Sequence, residues 1–350
     1  MKILYAIQGT GNGHISRANE IIPLLRKKCE TDVLISGNQA DLELPFRPGY
    51  TLGGLSFVRG KNGGIDFART YKSSNVKRFL KEVKELPVED YDFVINDFEP
   101  VSAWACYRKK VPCIALSHQS SLLDKSVPKP PHKDAIGSFV LKNYAPALCH
   151  FGFHFSRYSK NIYTPVIRKA IRHAERTDNG QYVVYLPAYS DEHLVEILSS
   201  IKETRWEIFS RSVNSIEQSD NIIIRPVNGE DFERSLVSCS GVLCGAGFET
   251  PAEALFLGKK LMVVPMKNQY EQHYNAAALQ SLGVPSIKKF TKKKTEKIIE
   301  WVNSDYKIEI TYPDNTDRIL NQIFELFVEN KLNRQKWDGK YHLIPDKMLI

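Results

Sequence analysis

Short apolar segments alternate with amphipathic segments along most of the chain. Residues 2–7 form an almost continuous apolar run of strand length, and residues 15–28 then carry apolar side chains at helical spacing. The same order recurs where buried strands at 93–96 and 113–117 flank a predicted helix. Apolar strands that alternate with helices predict parallel sheets covered on both faces. The fold class is therefore α/β, with doubly wound, Rossmann-like parallel sheets.

A polar stretch interrupts this pattern once and divides the chain into two patterned halves, each long enough to bury a core of its own. We predict an N-terminal domain over residues 1–156 and a linker over residues 157–180. A second domain is predicted over residues 181–310. Residues 311–350 are expected to form a C-terminal helix and tail, which could cross back to the N-terminal domain.

The net charge of +8 lies entirely in the first 160 residues, where 23 Lys and Arg face 15 Asp and Glu. Much of it falls in the segment from Arg59 to Lys84, which also carries aromatic and aliphatic residues. Such a segment can bind an anionic membrane surface or attract an acidic ligand, although an ordinary solvated helix shows the same pattern. Because no nucleic-acid motif accompanies the charge, we expect no nucleic-acid partner.

No apolar run approaches the roughly 20 residues that a membrane-spanning helix needs. The six cysteines are scattered, without a CxxC pair, which is typical of reduced thiols. Both features predict a cytoplasmic protein, which could associate peripherally with the inner face of the membrane.

A glycine-rich turn follows the first strand and ends at His14, which begins the next predicted helix. Asp97 follows a neighbouring strand, so its carboxylate is expected at the same sheet edge as His14. An imidazole oriented by a carboxylate is suited to act as a general base near neutral pH. His14 could instead only cap or pack, and Glu99 is a competing candidate for the orienting carboxylate.

A second glycine turn, in the other half, contains Gly245 and Gly247 and precedes a predicted helix start. Thr250 can cap that helix, with Pro251 at its first position and Glu253 completing a capping box. Glycines before a helix N-terminus let a ligand approach the backbone, and the exposed N–H groups favour an anion such as a diphosphate. A plain capped helix after a tight turn has the same local pattern.

Glu271 and Gln272 follow the next apolar strand and should lie at the same sheet edge as the glycine turn. A carboxylate and an amide are suited to hydrogen-bond sugar hydroxyls, although a polar helix start is the alternative. The second glycine turn and this pair together resemble the donor-binding signature of GT-B glycosyltransferases. The similarity is to the UDP-glycosyltransferases and to the membrane-associated GlcNAc transferase of cell-wall synthesis. The matching residues are Gly245, Gly247, Thr250, Glu253, Glu271, Gln272, Asn275 and Ala276.

The resemblance implies two sheet domains that face each other across a cleft. It implies that Gly247 and Thr250 contact the diphosphate of a nucleotide sugar, that Glu253 holds the ribose, and that Glu271 and Gln272 grip the donor sugar. This chain departs from the family pattern in having Gly245 where UDP-glycosyltransferases often have His. It also has Glu271 where Asp is usual.

The remaining implied contacts come from loops at the same sheet edges. Ser190 and Val227 follow strands of the second half and are expected on the donor side. Gly11 and Gly13 belong to a first-half turn that resembles the glycine loop of the cell-wall enzyme. Ser117-His118-Gln119 resembles that enzyme's His-Glu-Gln segment, so His118 and Gln119 are expected in the acceptor cleft.

The sequence therefore predicts an inverting glycosyltransferase that moves a sugar from a UDP-sugar to an acceptor hydroxyl, which could be lipid-linked. We expect no cofactor and no metal, because Asp90-Tyr91-Asp92, which has DxD spacing, precedes a strand and so lies at the edge away from the cleft. The alternatives are a nucleotide-sugar 2-epimerase, which needs no acceptor, and a non-catalytic protein that binds sugar nucleotides.

Overall fold

A computed structural model describes residues 1–37, 44–55, 75–131 and 134–328. Residues 59–74 of the basic segment from Arg59 to Lys84 lie outside the described residues, as does the tail after residue 328. Among the described residues, no helix is both long and apolar enough to cross a bilayer.

The first half contains a seven-stranded sheet with the order β3-β2-β1-β4-β5-β6-β7, in which every neighbouring pair is parallel. Its strands are β1 (Lys2–Gln8), β2 (Glu30–Ser36), β3 (Tyr50–Leu52), β4 (Phe93–Asp97), β5 (Cys113–Ser117), β6 (Cys149–Phe153) and β7 (Ile162–Tyr163). The chain moves outward from β1 to β3 and then returns to β4 on the other side of β1. The carboxyl ends of β1 and β4 therefore flank a topological switch point, where open α/β sheets bind ligands.

The second half contains a six-stranded sheet with the order β10-β11-β9-β8-β12-β13. Its strands are β8 (Gln181–Tyr185), β9 (Arg205–Ser210), β10 (Glu217–Ser219), β11 (Ile222–Pro226), β12 (Gly241–Gly245) and β13 (Lys260–Val264). All pairs are parallel except the edge pair of β10 with β11, which is antiparallel. The predicted α/β class with two parallel-dominated sheets is confirmed, and the switch point of this sheet lies between β8 and β12.

Helices cover the sheets. Those of the first half are α1 (Asn12–Lys28), α2 (Val76–Glu85), α3 (Pro100–Lys109), α4 (His118–Ser121), α5 (Ala135–Asn143) and α6 (Lys169–His173). Those that follow are α7 (Asp191–Leu198), α8 (Gly229–Ser238), α9 (Glu249–Phe256), α10 (Tyr270–Ser281), α11 (Thr295–Asn303) and α12 (Thr316–Val328), with short 3-10 turns at Val88–Asp90 and Lys292–Lys294.

One predicted helix start differs from the structure. Helix α9 begins at Glu249 with Phe248 as its N-cap, and no side chain caps it, so the predicted Thr250 capping box is wrong. Phe248 is already helical, with φ −99° and ψ −53°, and its ring stacks on His118 of the first half. This tertiary contact overrides the local capping preference. Helix α10 begins at Tyr270, so Glu271 and Gln272 lie in its first turn.

The two halves share a buried boundary. The largest apolar cluster contains side chains from both sheets, and the rings of Phe155 and Phe248 lie 5.1 Å apart across it. Helix α12, at the end of the described chain, packs back on the first sheet, where the ring of Phe327 lies 4.7 Å from that of Phe93. Two segments of chain therefore join the halves, one after β7 and one before α12.

Candidate active site

His14 and Asp97 are brought together by the pairing of β1 with β4. Ile7 is the register partner of Asp97, and the turn after β1 places His14 in the first turn of α1. Gly11 is the N-cap of this helix and has a φ of 106°, a conformation that favours glycine. The Nδ1 atom of His14 lies 2.8 Å from Oδ1 of Asp97, and both residues are buried.

The Asp97 carboxylate fixes the orientation of the imidazole. Burial would raise the pKa of Asp97, but Arg17 and His14 together lower that pKa below its ordinary value. An ionised carboxylate at this distance accepts the proton of Nδ1, which leaves Nε2 of His14 as the basic atom. Nε2 of Gln119 lies 3.4 Å from Nε2 of His14.

Glu99, the competing candidate, lies elsewhere. Its carboxylate caps helix α3, where it accepts hydrogen bonds from the backbone N–H groups of Val101 at 2.7 Å and Ser102 at 2.6 Å. It also accepts a hydrogen bond from the hydroxyl of Ser36 at 2.7 Å. Burial raises the pKa of Glu99 above its ordinary value despite these bonds. Of the two carboxylates, only Asp97 contacts His14.

Arg17 is a site residue that the sequence reasoning missed. It lies one turn after His14 on α1 and is 3% exposed. Its guanidinium donates to both carboxylate oxygens of Asp97, at 2.8 and 3.0 Å. It also donates to Oε1 of Glu249, the first residue of α9 in the second half, at 2.5 Å. Arg17 therefore connects the imidazole side of the cleft with the helix that follows the second glycine turn.

The predicted acceptor-side residues contact the predicted donor-side residues directly. Nε2 of Gln119 donates to Oε2 of Glu271 at 2.9 Å. The side chain of Gln119 therefore lies between His14, the predicted base, and Glu271, the residue predicted to bind the donor sugar. His118 has Nε2 2.8 Å from Oδ1 of Asn275 and Nδ1 2.8 Å from the carbonyl of Phe153. Because both nitrogens of this buried ring have partners, His118 joins the halves and does not face an open cleft.

The glycine turn of the second half and the start of α10 are held together by amide side chains. Oε1 of Gln272 accepts a hydrogen bond from the backbone N–H of Met266 at 2.8 Å, and this amide lies against Gly245. Nδ2 of Asn275 donates to the carbonyl of Ala246 at 3.1 Å. Among the residues that the structure describes, none comes within 4 Å of the position that a Cβ at Gly247 would take.

Glu253 has a partner that the sequence did not suggest. Both of its carboxylate oxygens accept hydrogen bonds from Arg168, at 2.6 and 2.7 Å, and Arg168 also donates to Glu233 at 3.0 Å. Arg168 belongs to the segment that joins the two sheets. Burial raises the pKa of Glu253, and the pairing with Arg168 only partly offsets this rise. In this arrangement the carboxylate of Glu253 is engaged by the linker, not open to a ribose.

Two other predicted donor-side residues occupy the expected strand ends. Ser190 is the N-cap of α7, and its hydroxyl accepts a hydrogen bond from the backbone N–H of His193 at 3.4 Å. Val227 follows β11, and its N–H donates to the carbonyl of Ser210 at 2.9 Å.

The DxD sequence lies at the other end of the first sheet. Asp90 ends a 3-10 turn before β4, and Asp92 accepts a hydrogen bond from the backbone N–H of Lys2 at 2.8 Å. Across the described ranges, no group of three His, Cys, Asp or Glu side chains is arranged to hold a metal ion. All six cysteines are free thiols.

Comparison with known proteins finds a family model and solved structures that match most of the chain. A family model described as glycosyl transferase family 1 matches residues 1–304. No curated protein sequence matches the chain significantly.

Among solved structures, UGT2 of Phytolacca americana in complex with UDP-2fluoro-glucose and pterostilbene is 14% identical, with a TM-score of 0.57 over 96% of this chain and 99% of that chain. Arabidopsis thaliana UGT89C1 complexed with UDP is 12% identical, with a TM-score of 0.57 over 93% of each chain. The glycotransferase of kitacinnamycin is 15% identical, with a TM-score of 0.53 over 96% of each chain. At these identities the likeness establishes the GT-B fold.

Proposed function

Since this chain belongs to glycosyl transferase family 1 and is therefore a glycosyltransferase, we propose that it transfers a sugar from a UDP-sugar to an acceptor hydroxyl. We propose further that the transfer inverts the anomeric centre and requires no metal ion. The observation that carries this proposal is the position of His14, which contacts Asp97 on one side and lies on the other side next to Gln119, whose amide donates to Glu271.

In the proposed reaction, Nε2 of His14 takes the proton of the acceptor hydroxyl as its oxygen attacks the anomeric carbon. The bond from that carbon to the β-phosphate oxygen breaks, and UDP leaves with the electron pair. Asp97 stabilises the imidazolium through Nδ1. This is a single displacement, so the anomeric configuration inverts. The transition state has oxocarbenium character, as in glycoside hydrolysis.

Negative charge that develops on the departing diphosphate is stabilised by the backbone N–H groups at the start of α9. Fixed dipoles of this kind contribute about 3 kcal/mol to a transition state in comparable sites. The amide of Asn275 holds this turn through its bond to the carbonyl of Ala246, and the bond from Met266 fixes the amide of Gln272 beside Gly245. Gly247 and Thr250 are the residues we assign to the diphosphate, and Gly245 lies beside them on the donor side.

Gln119 supports an acceptor position next to His14. Its Oε1 atom is buried and has no hydrogen-bond partner among the residues that the structure describes. A buried acceptor without a partner is costly, and a hydroxyl that donates to it would remove this cost. An acceptor hydroxyl beside Gln119 lies close to Nε2 of His14, from which Gln119 is 3.4 Å away.

We propose a membrane-associated, lipid-linked acceptor, supported by helix α2. Val76 and Leu80 lie one turn apart on this helix and are 43% and 50% exposed. The same helix carries the basic residues Lys77, Arg78, Lys81 and Lys84. Exposed apolar side chains among basic residues fit an anionic bilayer surface. Sedimentation with phosphatidylglycerol vesicles, but not with phosphatidylcholine vesicles, is expected, and Leu80→Ser should weaken it.

The main test is calorimetric titration of the protein with UDP, followed by transfer assays with a panel of UDP-sugars and hydroxyl acceptors. We expect His14→Ala to retain UDP binding and to lose transfer by at least about 100-fold, as removal of a general base does elsewhere. His173→Ala, which changes an exposed histidine, is the matched control. Full transfer activity in His14→Ala would refute the mechanism.

The same samples separate the alternatives. Incubation of the protein with a UDP-sugar alone, followed by NMR, would reveal a new sugar isomer if the protein were a 2-epimerase. Binding of a nucleotide sugar without transfer or isomerisation would point to a non-catalytic protein.

A further inference from the structure

An acidic side chain stands where the proposed function places an anion. Glu249 is the first residue of α9, between Gly247 and Thr250, which we assign to the diphosphate. A carboxylate so close to a diphosphate repels it, and in a partly buried site this repulsion is poorly screened. The side chain of Glu249 is 25% exposed, so water weakens its charge only in part.

The cation that compensates Glu249 comes from the other half of the molecule. Arg17 donates to Glu249 at 2.5 Å while it also pairs with Asp97. Burial alone would lower the pKa of Arg17, but the two neighbouring carboxylates raise that pKa above its ordinary value. The guanidinium is therefore a permanent positive charge at the boundary.

The glycine turn of the first half makes room for this pair. A side chain at Gly13 would collide with the carboxylate of Glu249. Gly13 thus leaves room for the Glu249 carboxylate beside α1, where Arg17 contacts it.

We propose that Glu249 is a charge gate at the diphosphate site, closed to the donor unless Arg17 from the opposite half neutralises it. This inference rests on the proposed function. Arg17 is a positioning residue, because it acts on the donor through Glu249. Donor binding then favours the arrangement in which the halves touch, since only that arrangement removes the repulsion. The same arrangement therefore brings the base, His14, next to the diphosphate site at the start of α9.

The test is a double-mutant cycle read by calorimetry with UDP. We expect Arg17→Gln to raise the Kd for UDP about tenfold and Glu249→Gln to lower it about threefold, since one charge changes beside the diphosphate in each variant. The Arg17→Gln/Glu249→Gln protein should return to within about threefold of the wild-type Kd. Such a rescue is not expected if Arg17 only stabilises the fold.

The matched controls are Arg26→Gln, an exposed arginine on α1, and Glu296→Gln, an acidic residue in the first turn of α11. Both should leave the Kd for UDP unchanged. If Glu249→Gln weakens UDP binding, Glu249 is itself a donor ligand and the inference is wrong. This single variant keeps the test decisive even if Arg17→Gln fails to fold.

Failure of the cycle and failure of the proposed function give different results. Wild-type protein that binds UDP, with no rescue in the double variant, overturns the gate alone. Wild-type protein that binds none of UDP, dTDP, GDP, ADP or CDP overturns the proposed function and the gate with it.

Discussion

Replacing Asp97 with Asn tests the centre of the site. The carboxylate accepts a hydrogen bond from His14 at 2.8 Å and bonds from Arg17 at 2.8 and 3.0 Å. Asn is nearly isosteric, but it offers one oxygen acceptor and turns an NH₂ donor towards a neighbouring donor. The substitution therefore removes the charge that Arg17 and His14 share without leaving a cavity.

The expected magnitudes follow from these contacts. Breaking a buried ion pair by removal of one partner costs about 3–5 kcal/mol. Because Arg17 keeps Glu249 as a partner, we expect about 3 kcal/mol, which corresponds to a fall in Tm of roughly 5–10 °C. Loss of the fixed imidazole tautomer should lower kcat about 100-fold to 10,000-fold.

The assays are thermal unfolding by circular dichroism and release of UDP at saturating donor and acceptor. Asp92→Asn is the matched control, because Asp92 lies at the opposite end of the same sheet and is exposed. It should change neither Tm nor kcat appreciably. If Asp97→Asn keeps kcat within tenfold of the wild type, Asp97 does not orient the base.

Three further predictions concern the linker contact, a buried histidine and metal dependence. Glu253→Gln should lower the free energy of unfolding by only about 1 kcal/mol in urea titrations, because Arg168 keeps Glu233 and one bond to the amide oxygen; an unchanged midpoint would mean that the pair contributes nothing. Burial, with a contribution from His118, holds the pKa of His154 well below its ordinary value. The unfolded chain therefore takes up a proton at this residue first as the pH falls below about 6.5, and His154 should by itself decrease stability there by at most about 1.4 kcal/mol per pH unit. Burial also lowers the pKa of His150, to about 4, so His150 adds to the slope. His154→Phe should therefore reduce the slope, and a slope equal to that of the wild type would exclude a contribution from His154. Addition of EDTA should leave kcat unchanged, and loss of activity that Mg²⁺ or Mn²⁺ restores would contradict metal independence.

The sequence was sufficient to place His14 and Asp97 at one edge of the sheet, because His14 follows β1 and Asp97 ends β4. The position of a residue after a parallel strand places it at one edge of the sheet, whatever its distance along the chain. The choice between Asp97 and Glu99 could not be made from the sequence. It depends on which carboxylate caps α3, and the structure shows that Glu99 does so, which leaves Asp97 to contact His14.

Arg17 and Arg168 could not be assigned from sequence for a different reason. Their carboxylate partners Glu249 and Glu253 lie 232 and 85 positions away, and the pairing depends on how two independently patterned halves are placed together. The error at Thr250 has the same origin. Capping rules describe local hydrogen bonds, whereas the start of α9 is determined by the stacking of Phe248 on His118.

The return of α12 to the first sheet has a mechanical consequence. The chain crosses between the halves twice, and α12 is anchored by hydrogen bonds from Lys28 to Asn321 and from Tyr163 to Gln322. If one segment joined the halves, one half could rotate in any direction relative to the other. Because two segments join them, rotation is possible mainly about the line through the two connections. Opening of this enzyme should therefore be a rotation about one axis. The same surfaces of the two halves should then meet in the same alignment each time the cleft closes.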